Sequence, residues 1–519
     1  MKSHALLVAV GIFLSRIAGL VRERVFAYFF GTSDAGDAFK AALKIPNFLQ
    51  NLFGEGVLSA SFIPVYAEML AKKHDEDAAK VASVVGSLLF LLTSALVLFG
   101  VLLSPWLIDV IAPGFHGEKK ELTVKIVQIL FPGTGFLVMS AWCLGILNSH
   151  KKFFLSYVAP VIWNLAIIAS LLLYGFSEDQ WELAEIVAWG LVAGSFLQFF
   201  VQLPSAMRLG RKLRPSLSIR AKGVPTVLKN FVPVVTSRGV VQVSAYVDNI
   251  LASLLPTGAV SAIAYAQTLY LLPVSLFGMS VSAAELPTMS QAQGSEEEIK
   301  AYLQARLKKG LRQISFFIIP SVVGFVFLGE LIVGAVFQTG AFKVAETRYV
   351  WFVLMGYTVG LLATTLSRLY SSTFYSLKDP RTPLKFAILR IVFGTALGVY
   401  LAFYFTKDVQ ISPEWGTPLL TLSAALAGWI EYFFLKHSLT RKIGSSSVGL
   451  GYMSKLWGAA LISAVIAQGV LYLIPHKNWH IIGQALLGLS IYGLSYFVWT
   501  SALRIPEVQA ISQRLRRRK

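Results

Sequence analysis

The chain has a single cysteine, Cys143, in 519 residues, which excludes an intrachain disulfide framework and a thiolate metal cluster. Charge is scarce: 14% of residues are Asp, Glu, Lys or Arg, and the acidic ones number 27 against 46 basic. No Gly-Lys pair occurs, so the chain has no Walker phosphate-binding loop and no ATPase module of its own. The motifs HExxH and GxSxG are missing too, and no residue pattern calls for a cofactor. The seven histidines (His4, His74, His116, His150, His437, His476 and His480) fall in polar connections or at the ends of apolar runs. That placement argues against an intramembrane metal or a histidine proton relay. The connections run to about 20 residues, too short for an extramembrane catalytic domain.

What the chain does have is apolar length. With 55% hydrophobic residues and a mean hydropathy of +0.65, it reads as an all-α polytopic membrane protein. Stretches long enough for a spanning helix lie at about 4–29, 34–68, 80–112, 121–149, 153–175, 181–207 and 225–254. Seven more lie at about 259–292, 310–338, 346–376, 383–406, 417–440, 449–474 and 480–504. Fourteen spans put both termini on one side. The start is not read as a secretory signal, because no small-residue cleavage site precedes Arg16 and the apolar pattern resumes beyond it.

The net charge of +19 resolves when cations are sorted by position. The termini and even-numbered connections hold most of them, including Lys72, Lys73, Lys151, Lys152, Arg208 to Lys222, Lys300 to Arg312 and Arg514 to Lys519. The odd connections hold only Lys119, Lys120, Lys343, Arg348, Lys407 and Lys477. The positive-inside rule places both termini in the cytoplasm. The basic tail reads as topogenic or as binding membrane-lipid headgroups, not nucleic acid.

The cations left in or at the ends of spans are Arg16, Arg22, Arg24, Lys40, Lys44, Lys125, Lys229, Arg238, Arg368, Arg390 and Lys455. Each costs roughly 3 kcal/mol at mid-bilayer unless paired, hydrated or needed. Lys125, Lys229 and Lys455 lie near span ends and read as snorkelling, with Arg24 and Arg390 as further candidates. Arg16 lies about 18 Å into the first span at 1.5 Å per residue. Ser15 and Arg22 share one face, and Arg16 and Glu23 share another. Asp37, Lys40 and Lys44 form a polar stripe on the next span. Two readings stand: a water-filled, cation-lined cavity between these spans, or internal salt bridges that fix packing.

Pro46, Gly54, Gly56 and Pro64 interrupt the second span, and Pro273, Gly278 and Pro287 the eighth. Broken helices at membrane depth line cavities. Leu52 to Ala60 also resembles Leu276 to Ala284 at an offset of about 224, with Ser15-Arg16 and Ser237-Arg238 upstream. This suggests two six-helix lobes related by a pseudo-two-fold repeat, plus two C-terminal helices. The corresponding divisions are 1–223, 224–440, 441–504 as a possible lipid-tail groove, and a basic tail at 505–519.

Ser15 to Glu23, Gly36-Asp37-Ala38-Phe39, Lys44-Ile45-Pro46-Asn47 and Phe53-Gly54-Glu55-Gly56 resemble the N-terminal signature of the MurJ (MviN) lipid II flippases. Phe337-Gln338-Thr339-Gly340-Ala341-Phe342 and Phe374 to Pro383 resemble that family's FxxGAF and FYAxxDxxTP patterns. The resemblance covers essentially the whole chain. It implies the multidrug/oligosaccharidyl-lipid/polysaccharide exporter fold and movement of undecaprenyl-diphosphate-linked disaccharide-pentapeptide across the bacterial inner membrane. Membrane lipids and the cell-wall synthesis machinery are the implied partners, with no nucleic acid. Two family arginines are replaced here, by Gln50 and Thr268.

A guanidinium grips phosphate oxygens with two hydrogen bonds, while a lysine acts as a mobile point charge. The diphosphate ligands expected here are Ser15, Arg16, Arg22 and Lys44, with Arg238 substituting for the missing C-terminal charge or pairing with Glu285 or Asp248. Glu23, Asp37 and Glu55 are expected gate or pairing groups. Asp248 matches a position implied to hold a cation, and the driving force is read as a membrane potential or ion gradient. The rival readings are a related polysaccharide-lipid or drug exporter, a polytopic glycosyltransferase using Asp34, Asp37 or Glu178-Asp179, and a noncatalytic scaffold.

Overall fold

The computed structural model describes residues 2–210, 213–474 and 479–509; the side chains at 2–9, 55, 232, 234 and 236–245 are outside that description. The described residues are helical with no strand, apart from one isolated bridge between Thr339 and Phe342. This is the all-α membrane architecture the composition implies. Among the described residues, ten helices are long and apolar enough to cross a bilayer, or eleven if the pair at 344–376, bent by 42°, is one span. Helices also occupy the three other expected stretches, 4–29, 34–68 and 225–254.

The chain forms two compact units: Met1–Ser261 with Thr339–Phe342, and Ala262–Gln338 with Lys343–Lys519. In the first, the helices are α1 (Lys2–Phe30), α2 (Asp34–Phe53), α3 (Glu55–Ala71), α4 (Asp75–Ile111), α5 (Gly117–Ser149), α6 (Phe153–Tyr174), α7 (Gln180–Gly210) and α8 (Val224–Ser253). Helix α5 is the hub, packed on α2, α3, α4 and α7. Its core face sets Trp142, Cys143 and Ile146 against Leu58, Phe62 and Tyr66 of α3 and Val81, Ala82 and Val85 of α4. Trp142 takes part because its Nε1 has a partner, donating to the Ala82 carbonyl at 3.0 Å. The buried amide nitrogens of Gln198 and Gln202 of α7 both donate to Ser140 Oγ, at 3.0 and 2.6 Å.

The 339–342 turn packs on the end of α1. Ala341 N–H donates to the Tyr28 carbonyl at 2.7 Å. Gly340, at φ +55°, leaves so little room that a Cβ there would sit 2.4 Å from that carbonyl, and Gly31, at φ +53°, is equally crowded by Ala341. The two glycines permit both a left-handed backbone and this close approach.

The second unit contains all but the first three residues of α9 (Ala259–Pro273), a π-helical turn (Val274–Met279), α10 (Ser280–Ser290), α11 (Glu296–Phe327), α12 (Gly329–Phe337), α13 (Val344–Val359) and α14 (Leu361–Ser376). It continues with α15 (Arg381–Val399), a second π-helical turn (Tyr400–Phe405), α16 (Thr406–Asp408), α17 (Gly416–Ile443), α18 (Leu450–Leu473) and α19 (Ile481–Ala502). Helix α17 packs on α13, α14 and α15. Helix α19 is fixed to α11 by its tyrosines: Tyr492 and Tyr496 hydroxyls donate to the carbonyls of Pro320 and Phe316 at 2.7 and 2.8 Å.

A candidate anion site in the first unit

The α1 stripe is assembled around Glu23. This carboxylate is buried and accepts hydrogen bonds from Arg22 Nη2 at 2.6 Å and from Lys40 Nζ of α2. Lys40 is buried as well, and its ammonium lies 4.3 Å from the Phe26 ring centroid. The Arg22 guanidinium sits 4.9 Å over the Trp163 ring of α6, a cation–π arrangement that orients it. Two cations share one carboxylate, so the cluster keeps a net positive charge.

Arg16 differs. Its side chain is exposed, and it has no ion pair or hydrogen bond among the described residues, while Ser15 beside it is half-buried. Lys44, on α2, is half-buried; Asp248 of α8 acts on its ammonium, and Tyr246 donates from its hydroxyl to the Lys44 carbonyl at 2.6 Å. The backbone of α8 thereby stays close to the polar stripe of α2.

Asp37 stands apart from the arginines. It is 1% exposed and accepts from the backbone N–H groups of Gly258 and Ser261, both at 2.8 Å, and from Lys119 Nζ at 2.9 Å. Lys119 also meets Asp34 at 2.8 Å, and Asp34 accepts from Thr257 Oγ1. Ser33 caps α2 by accepting from Gly36 N–H. The starts of α2 and α5 and the turn after α8 are thus tied at one polar knot. Asp179 is likewise engaged, accepting from Trp181 and Glu182 N–H at the start of α7. Asp34, Asp37 and Asp179, three of the four carboxylates of the glycosyltransferase reading, thus act as structural anchors.

Several expectations from the sequence land elsewhere. The Arg238 and Glu55 side chains lie outside the described residues. Glu285, a possible Arg238 partner, is bound to Arg306 of α11 at 2.7 Å. Thr268 donates to the Ala264 carbonyl at 3.0 Å. Arg390 pairs with Glu431 at 3.0 Å and Lys125 with Glu185 at 2.7 Å. The residues that sequence reasoning passed over are Lys119, counted only as a loop cation, and Trp163 and Asn164 of α6. Trp163 Nε1 and Asn164 Oδ1 are buried with no hydrogen-bond partner among the described residues, beside Arg22 and Gly19 of α1 respectively. A Trp-Asn pair inside an apolar span was the available signal; its contact with α1 depends on tertiary packing.

The fold is that of a transporter of the MOP superfamily. An inward-facing multidrug resistance MATE family transporter of that superfamily matches 83% of this chain and 96% of its own at a TM-score of 0.64 and 16% identity, a likeness of fold alone. A lipid II flippase MurJ in an inward closed conformation matches 96% of this chain and 99% of its own at a TM-score of 0.76 and 27% identity. A model of the lipid II flippase MurJ family matches residues 26–490. Among relatives, the lipid II flippase MurJ of Burkholderia cenocepacia is 31% identical over 460 residues, covering 87% of this chain and 86% of that protein. The probable lipid II flippase MurJ of Buchnera aphidicola subsp. Schizaphis graminum is 30% identical over 509 residues, 95% of each. The chain belongs to the lipid II flippase MurJ family, a family of multi-pass membrane transporters and not of enzymes.

Proposed function

We propose that this protein moves lipid II, the undecaprenyl-diphosphate-linked peptidoglycan precursor, from the inner to the outer leaflet of a bacterial cytoplasmic membrane by alternating access. In this reading the chain crosses the membrane fourteen times with both termini cytoplasmic, and works beside the cell-wall synthesis machinery. The lobes are 1–223 and 224–440, with 441–504 as a tail groove. Family membership supports the cargo. The observation that carries the site is Arg16: a guanidinium far inside a helix, with no ion pair or hydrogen bond among the described residues, persists where it has water and an anion to meet.

Arg16 and Ser15 bind the diphosphate, with Arg22, held on Glu23 and Trp163, and Lys44 adding positive field. Arg238 supplies charge from α8, and Glu55 and Asp37 serve as gate or pairing groups. Asp248 offsets Lys44 or holds a cation. Hydrocarbon cannot solvate a diphosphate, so these ligands lower the cost of carrying it through.

Complementation tests the reading. In a bacterium depleted of its own flippase, the wild-type chain is expected to restore lipid II movement to the outer leaflet, and Arg16→Ala at equal membrane level is expected not to. Equal rescue by both would remove Arg16 from the site; no rescue by the wild type would remove the cargo.

A further inference from the structure

Helix α14 is enclosed on almost every side: from Leu361 to Phe374 its residues are buried except Arg368, which is exposed, and Ser371, which is half-buried. Tyr375, 48% exposed, follows on the same face. Arg368, Ser371 and Tyr375 are spaced i, i+3, i+7 and form one stripe of a helix. The stripe consists of a guanidinium, a hydroxyl and a phenol, so it borders water or a polar ligand, because a cation turned to lipid costs roughly 3 kcal/mol.

Snorkelling does not explain Arg368. It lies eight residues before Ser376, the last of α14, about 12 Å along the axis at 1.5 Å per residue. Helical side chains lean toward the N-terminus, which directs this one away from the Ser376 end and toward the bend at the start of α14. Nor is it neutralised. Glu431 is bound to Arg390, and Arg368 has no ion pair or hydrogen bond among the described residues. Helix α14 also begins at a 42° bend in its span, and broken spans line cavities.

We propose that Arg368, with Ser371 and Tyr375, binds an anionic oxygen of the lipid-linked cargo, from its diphosphate or a peptide carboxylate, and provides a basic ligand in the second unit. This rests on the cargo proposed above. The guanidinium takes two oxygens in a bidentate pair, and Ser371 Oγ and Tyr375 Oη donate alongside.

The test is binding of two probes, undecaprenyl diphosphate and lipid II, to the full chain in lipid nanodiscs, with thermal unfolding recorded for each variant. Arg368→Gln is expected to weaken binding about tenfold, the scale of a lost hydrogen bond to a charged group. Loss for both probes assigns the contact to the diphosphate; loss for lipid II alone assigns it to a peptide carboxylate. Wild-type affinity for both probes in the folded variant overturns the inference and leaves the cargo standing. Failure of the wild type to bind either probe overturns both. If Arg368→Gln does not fold, Arg368→Lys decides, because it keeps the charge but not the fork: a few-fold weakening is expected, and unchanged affinity for both probes refutes the proposal.

Discussion

Glu23 is the carboxylate on which Arg22 and Lys40 converge, and its neighbourhood shows why charge spacing alone left two readings open. On α1 the i, i+7 relation pairs Arg16 with Glu23, yet Glu23 binds the adjacent Arg22 and a lysine from α2. Salt bridging fixes packing at Glu23, while Arg16 on the same helix has no ion pair or hydrogen bond among the described residues. Removing one member of a buried pair strands the other charge, at a cost of roughly 3–5 kcal/mol, whereas replacing both with apolar or neutral groups costs far less. Glu23→Ala is thus expected to lower the thermal stability of the purified protein sharply, and Glu23→Gln combined with Lys40→Met is expected to recover most of it. A double variant no more stable than Glu23→Ala would show that the pair is not the source of the loss.

At the scale of elements, the motif residues have visible mechanical work. The Thr339–Phe342 turn needs Gly340 because Tyr28 closes over it. Asp379, between α14 and α15, accepts from Thr382 N–H at 3.2 Å and Thr382 Oγ1 at 2.7 Å and binds Lys442 at the end of α17. The hydrogen bond from Lys442, followed by those from Thr382, holds its carboxyl at about 2, below its ordinary value of 3.8. The sign follows from the depressed value: the stabilisation is complete above about pH 4, declines as pH falls, and is lost through pH 2. Asp379→Asn is expected to flatten that acid limb of the melting temperature; an unchanged limb would exclude Asp379 as its source. The repeat visible in sequence also has an element-scale counterpart. Gly54 separates α2 from α3, and Gly278 lies in the π-helical turn before α10, so both matched segments interrupt their helices, by different means.

For the whole molecule, the asymmetric distribution of cations makes a topology prediction that the sole cysteine makes simple to check. Cys143 is fully buried, so a membrane-impermeant maleimide applied to intact cells has no native target to reach. Lys407→Cys, in an odd connection and exposed, is expected to label from outside; Lys152→Cys, in an even connection and exposed, is expected to label only after the membrane is opened. The reverse pattern would invert the orientation.

The sequence by itself determined the all-α membrane class, the places of the helices and the short set of intramembrane charges, because apolar length and the cost of burying charge are local properties. The motifs in Ser15 to Gly56 were enough to point to the family. Which charges meet was decided only by tertiary structure. Lys119 is 82 positions from Asp37, and Lys40 is 17 from Glu23; such pairs form only when separate helices pack, and nothing in spacing along one helix encodes them. The same holds for Arg16 and Arg368, which have no ion pair or hydrogen bond among the described residues, a property set by the helices packed around them.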